Sequence, residues 1–129
     1  MATRVLVVED DASIRTLLRY ALEEEGYRVA CARDGREALE RVERDRPDAI
    51  VLDLQLPVMD GAGFARALAR RTGGDAIPVL VVSGDYAAHR IAAELGAAGC
   101  LAKPFELDAL LEAVGRLAAG GLVPAGGGA

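Results

Sequence analysis

Short apolar runs alternate along this chain with stretches in which apolar positions recur every three or four residues. "RVLVV" at 4–8 is a continuous, largely β-branched run. "ASIRTLLRYALEEEGY" at 12–27 puts Ile14, Leu17, Leu18, Ala21 and Leu22 on one helical face, and Gly26 is placed to end that helix. "RVACA" at 28–32 reads as a second strand. "DGREALERVERD" at 34–45 reads as a helix with Ala38, Leu39 and Val42 inward, opened by Asp34 and Glu37 at capping-box spacing. "AIVLDL" at 49–54 is a third strand. "GFARALARRT" at 63–72 is a helix with Phe64 and Leu68 inward, and "RTGGD" at 71–75 makes a loop. "IPVLVVSG" at 77–84 is a fourth strand, with Pro78 confined to its beginning, where it removes no central ladder bond. "YAAHRIAAELGA" at 86–97 is a helix, "GCLA" at 99–102 a short fifth strand. "ELDALLEAVGRLAA" at 106–119 is a helix with Leu107, Leu110, Leu111, Val114 and Leu117 inward. The glycine-rich remainder, 120–129, has no pattern and is expected to be a flexible tail or linker stub after one domain at 1–119.

Strict β–α alternation predicts an α/β domain: a doubly wound five-stranded parallel sheet with helices on both faces. The first, third and fourth strands are nearly all apolar, as central strands buried on both sides should be. The second and fifth are shorter or more mixed and belong at the edges. The order 2-1-3-4-5 follows, and ligands in such sheets bind beyond the carboxyl ends of the strands, where the order reverses.

Composition narrows the function classes. With 52% hydrophobic and 27% charged residues, the 129-residue chain is a globular one. Aromatics make up 4%, so aliphatic side chains must fill the core. A net charge of -5 argues against direct binding of nucleic acid, whose phosphates need a positive surface. No stretch is apolar enough for a membrane span and no signal peptide is legible, so a cytoplasmic location is expected. Cys31 and Cys100 lack the spacing of a redox or zinc motif and are expected to be reduced, partly buried thiols on opposite sheet edges.

Chemistry gathers at the carboxyl edge. The first strand runs into Glu9, Asp10 and Asp11, the third ends at Asp53, the fourth at Ser83, and Lys103 follows the fifth. Packed acids repel one another and need a positive charge among them. Oxygen donors without a nearby His or Cys select Mg²⁺, with Mn²⁺ able to substitute. A lysine and a hydroxyl at neighbouring strand ends suit phosphoryl oxygens. Asp11 is expected to cap the first helix rather than bind metal, and Asp60 to serve a turn or cap. His89 is read as a surface residue.

The segments "LVVEDD", "VLDLQLPVMDG", "VVSG" and "LAKPF", in this order and each at a strand's end, resemble the receiver domain of bacterial two-component response regulators over residues 4–119. The chemotaxis member of that family has this same strand order. The resemblance implies a phosphorylation-activated switch rather than an enzyme acting on a separate substrate. Asp53 would accept a phosphoryl group from a sensor histidine kinase or phosphotransfer protein, and slow autodephosphorylation would reset it. Glu9, Asp10, Asp53 and the backbone carbonyl of Gln55 would hold Mg²⁺. Lys103 and, after phosphorylation, Ser83 would bind phosphoryl oxygens. Output to a downstream protein would pass through the face formed by helix four, strand five and helix five, in a monomer or a phosphorylation-dependent dimer. A cis bond is expected at Lys103–Pro104. The family often carries an aromatic three residues before the lysine, where this chain has Cys100, and Asp where it has Glu9. Two rivals are a phosphorylation-independent binding module and an aspartyl-phosphate phosphatase. The latter usually carries a second acid two residues after the nucleophile, where Gln55 stands.

Overall fold

The computed structural model describes residues 2–72 and 76–120. Five parallel strands form one sheet in the order β2-β1-β3-β4-β5: β1 (Arg4–Val8), β2 (Arg28–Ala32), β3 (Ala49–Asp53), β4 (Val79–Ser83) and β5 (Gly99–Ala102). Between them run α1 (Ala12–Glu24), α2 (Gly35–Arg44), α3 (Gly61–Thr72), α4 (Ala88–Glu94) and α5 (Leu107–Ala118). All five residues of β3 and of β4 are buried, whereas exposed residues return in β2 and β5, the edges. The glycine-rich remainder beyond Gly120 lies outside the described residues, as does most of the loop expected at 71–75.

Successive strand residues face opposite sides of the sheet, so the apolar strands feed two cores. On one side Leu6, Val8, Ile50, Leu52, Val79, Val81 and Cys100 pack with Ala38 and Leu39 of α2, Phe64 and Leu68 of α3, and Ala88 and Ala92 of α4. On the other, Val5, Val7, Val51, Leu80, Val82 and Leu101 pack with Leu18 and Leu22 of α1 and Leu110, Val114 and Leu117 of α5. Leu17, expected inward, is instead 52% exposed. At 3.6 residues per turn it stands about 100° from Leu18, beyond the edge of the buried stripe.

Capping chemistry sets the helix ends, and it moves several expected boundaries. The carboxylate of Asp11 accepts from the amides of Ser13 (2.8 Å) and Ile14 (3.0 Å), as a helix cap should. At the other end of α1, Gly26 takes φ 94°. The amides of Gly26 and Tyr27 return to the carbonyls of Glu23 and Leu22, a Schellman closure that stops the helix at Glu24. Asp34 caps α2 through the Glu37 amide, while Glu37 reaches back to the amide of Arg33, one residue earlier than in the usual reciprocal box. α3 begins at Gly61, two residues ahead of the expected start, because Asp60 accepts from the Gly63 amide at 2.7 Å. α4 is shorter than its apolar pattern. Asp85 turns the chain by accepting from the Ala87 amide at 2.8 Å, and Gly96, at φ 72°, closes the helix after Leu95. His89 is exposed on α4.

Both cysteines are free, Cys31 half-buried on β2 and Cys100 buried on β5, at the two edges. The Lys103–Pro104 peptide is cis.

Gly61 is fixed by tertiary contact. A Cβ there would lie 2.4 Å from the carbonyl oxygen of Asp53 and 2.7 Å from the Cα of Leu54. Gly115, inside α5, has only the Tyr27 hydroxyl at 3.8 Å. Urea unfolding should therefore separate two identical changes. Gly61→Ala should cost about 1–3 kcal/mol, since backbone must move to admit the methyl. Gly115→Ala should gain roughly 0.5–1 kcal/mol from helix propensity. Equal effects would contradict the close approach of α3 to Asp53.

Candidate phosphorylation site

The site is a product of register. Val8 pairs with Leu52, so the next residues of those central strands, Glu9 and Asp53, emerge side by side at the carboxyl edge. Across β3, Asp53 pairs with Val82, and the following Ser83 pairs with Ala102. The Lys103 amide continues that ladder to the Ser83 carbonyl at 3.0 Å. The parallel sheet thus delivers two acids, a hydroxyl and a lysine to adjacent strand ends.

Glu9, Asp53 and Ser83 are almost completely buried, at 1%, 4% and 1% exposure. The Lys103 ammonium spans the two acids, donating to Glu9 Oε1 at 2.7 Å and Asp53 Oδ2 at 3.2 Å. The second oxygen of Asp53 accepts from the Gln55 amide at 3.0 Å, and that of Glu9 from the Asp11 amide at 3.3 Å. Ser83 Oγ accepts from the Asp85 amide at 3.1 Å. Asp10 is exposed, and among the described residues nothing hydrogen-bonds its carboxylate. The loop after Asp53 is tied down at its far end, by the Gly61 amide to the Leu54 carbonyl and the Gly35 amide to the Met59 carbonyl, both 3.0 Å. Within it Val58 takes φ 66°, a conformation costing a β-branched residue on the order of 1–2 kcal/mol.

One residue that sequence reasoning passed over also belongs here. Arg15 Nη1 donates to the carbonyl oxygens of Glu9 (2.9 Å) and Asp10 (3.2 Å). The signal was present: a cation at the fourth position of α1 works against the positive end of the helix dipole and calls for an acceptor.

Carboxylate oxygens of Glu9, Asp10 and Asp53 lie within 4.8 Å of one another. This all-oxygen set, with one carboxylate open to solvent and a single lysine bridging the other two, fits a hard divalent cation that binds through few carboxylates and keeps water. Asp11, committed to its cap, is outside the cluster.

A 2-1-3-4-5 parallel sheet carrying acids and a lysine on its carboxyl edge is a doubly wound α/β domain with its candidate ligand site where the strand order reverses. The family model for the response regulator receiver domain matches residues 5–115, and the chain belongs to that family. It is 46% identical over 113 residues to response regulator MprA of Mycolicibacterium vanbaalenii, an overlap of 86% of this chain and 48% of that protein. The chain therefore spans about half the length of the curated relatives it matches. Among solved structures it resembles chemotaxis response regulator CheY4 of Vibrio cholerae (34% identity, TM-score 0.83, covering 91% of this chain and 99% of that one). It also resembles the receiver domain of sensor histidine kinase PA1611 from Pseudomonas aeruginosa PAO1 (30% identity, TM-score 0.83, covering 92% and 99%), solved with a magnesium ion coordinated in its active site cleft. Among the described residues no helix is long and apolar enough to cross a membrane.

The lysine does not fully compensate the cluster. Burial pushes the Glu9 carboxyl above its usual value; the Lys103 hydrogen bond pulls it down, and neighbouring Asp53 raises it again. For Lys103, burial alone would lower the ammonium, but the Glu9 hydrogen bond and the Asp53 charge outweigh it and the value rises. From the usual glutamate value of 4.5 up to the raised folded value, the folded state holds a proton that the unfolded state has released. Stability then falls as pH rises through that window. In metal-free buffer, the stability of the wild type relative to Glu9→Gln should decrease as pH is raised from 4.5, measured by urea unfolding across the range. A difference independent of pH would mean that burial does not hold the proton on Glu9.

Proposed function

We propose that this chain is a phosphorylation-controlled binding switch whose phosphoacceptor is Asp53. The observation that carries the reading is the arrangement of Asp53: nearly buried at a strand end, with one oxygen held by the Gln55 amide, the other by Lys103, and two more acids beside it. Glu9, Asp10, Asp53 and the Gln55 carbonyl are the groups that would hold Mg²⁺. When bound, the cation supplies positive charge to the oxygens of the transferring phosphoryl group.

Asp53 attacks the phosphorus of a phosphohistidine on a histidine kinase or phosphotransfer protein. A bond forms between phosphorus and the carboxylate oxygen, and the bond from phosphorus to the histidine nitrogen breaks. Lys103 follows the negative charge from the carboxylate to the new phosphoryl oxygens. Positioning and charge neutralisation are most of what such a transfer requires. Water later attacks the phosphorus, returning free phosphate and the Asp53 carboxylate. The domain thus acts on itself, without turnover of a separate metabolite, and residues 1–119 are its working unit.

For a switch, the phosphorylated state must make a contact that the resting state lacks. Ser83 is the group suited to it. Its hydroxyl now accepts from the Asp85 amide, and turning toward a phosphoryl oxygen would release the turn that leads through the fully exposed Tyr86 to α4. Output would then pass to a downstream protein through the α4–β5–α5 face. Cys100, buried in β5 against the core shared with Ala88 and Ala92, has no ring to swing, so the response concentrates in residues 83–86.

Two measurements test this. Incubated with Mg²⁺ and acetyl phosphate, the wild type should gain one hydroxylamine-labile phosphoryl group by mass spectrometry, and Asp53→Asn none; equal labelling of both would remove Asp53 as acceptor. Ser83→Ala should still be labelled, but its amide-exchange change over residues 83–94 on adding beryllofluoride should be blunted. A full response in that variant would take Ser83 out of the relay.

A further inference from the structure

Asp10 poses a problem of placement. It follows β1, outside the ladder, and its carboxylate has no hydrogen bond among the described residues. Its backbone alone must aim it. By contrast Glu9 is buried and held by Lys103 and the Asp11 amide, and Asp53 by Lys103 and the Gln55 amide. What fixes the Asp10 backbone is one nitrogen of Arg15, which binds the carbonyl oxygens of Glu9 and Asp10, in the two peptide links that flank Asp10, at 2.9 and 3.2 Å. Arg15 lies in the first turn of α1, where its own amide bonds the Asp11 carbonyl at 2.9 Å. The segment from Glu9 to Asp11 is therefore curled around a guanidinium that grows out of the helix it leads into.

We propose that Arg15 is a positioning residue for Mg²⁺ binding, holding the Glu9–Asp10 backbone so that the Asp10 carboxylate faces Glu9 and Asp53. The inference rests on the reading of Glu9, Asp10 and Asp53 as the metal site. Arg15 touches neither carboxylates nor phosphoryl group; it acts through two peptide carbonyls. Its charge has the opposite tendency, because a guanidinium near the cluster repels a divalent cation. The two effects predict opposite signs, so they can be separated by substitution. Loss of the clamp weakens Mg²⁺ binding; loss of the charge alone strengthens it.

The experiment is calorimetric titration of the metal-free protein with Mg²⁺, for the wild type and for Arg15→Met, Arg15→Lys, Asp10→Asn and Asp11→Asn. Arg15→Met should weaken binding roughly 3- to 10-fold, the worth of about one hydrogen bond. Arg15→Lys, which keeps a donor of similar reach, should restore most of the affinity. The Asp10 and Asp11 amides should exchange faster in Arg15→Met than in the wild type without metal, while amides of β3 and α5 remain as protected, a pattern that general loosening would not give. Tighter or unchanged Mg²⁺ binding in a folded Arg15→Met would overturn the proposal. If the wild type failed to bind Mg²⁺, or Asp10→Asn bound it as well as Asp11→Asn, the metal-site reading itself would fall, whatever Arg15 does.

Discussion

The Lys103 ammonium between Glu9 and Asp53 is the interaction on which the rest depends. Two carboxylates at the ends of adjacent central strands are almost wholly removed from water. Without a cation between them they could not both stay ionised at close range. Supplying that cation from β5, two strands from Asp53 and three from Glu9, requires the whole sheet to close in its order and register. A buried ion pair of this kind is a poor source of net stability, because desolvation consumes most of the attraction. Its value lies in holding Asp53 in place, with one oxygen 3.2 Å from the ammonium and the other 3.0 Å from the Gln55 amide. Burial holds the Glu9 carboxyl above its usual value even with the Lys103 hydrogen bond in place, and neighbouring Asp53 adds to the rise.

Much of this was legible in the sequence, for identifiable reasons. The β-branched runs and the three-to-four spacing of apolar residues gave every strand and helix, and the degree of apolarity separated β1, β3 and β4 from the edges. The site followed because acids, serine and lysine all fell at strand ends, and parallel topology brings those ends together. What escaped was decided by local polar chemistry or by contact across the fold. Asp60 and Asp85 moved helix starts through side-chain hydrogen bonds to nearby amides. Leu17 belonged to the apolar stripe in composition but not in angle. Arg15 was passed over, because the pattern that calls for an acceptor near a helix start does not say which carbonyls supply it. The bar on any side chain at Gly61 comes from the Asp53 backbone, eight positions earlier, and no periodicity encodes it.

The loop between Asp53 and α3 is held unusually firmly for a connection. Its ends meet through the Gly61 amide, and its tip is pinned to the start of α2 by the Gly35 amide. Gly35 is as constrained as Gly61, since a Cβ there would lie 2.5 Å from the Met59 carbonyl. The strain at Val58 is carried by this double anchorage. A nucleophile followed by a slack loop would lose alignment with its donors. Here the backbone after Asp53 is braced from two helices, and movement is left to the turn after Ser83.

The sheet also works as a partition. Its two faces feed separate cores, one shared with α1 and α5 and the other with α2, α3 and α4, and among the described residues no buried side chain belongs to both. Substitutions in different cores that lie more than about 10 Å apart share no side-chain partners, so their effects on stability should add. The α1–α5 side can therefore be repacked independently of the α2–α4 side, while the strand ends that carry the acids rest on both.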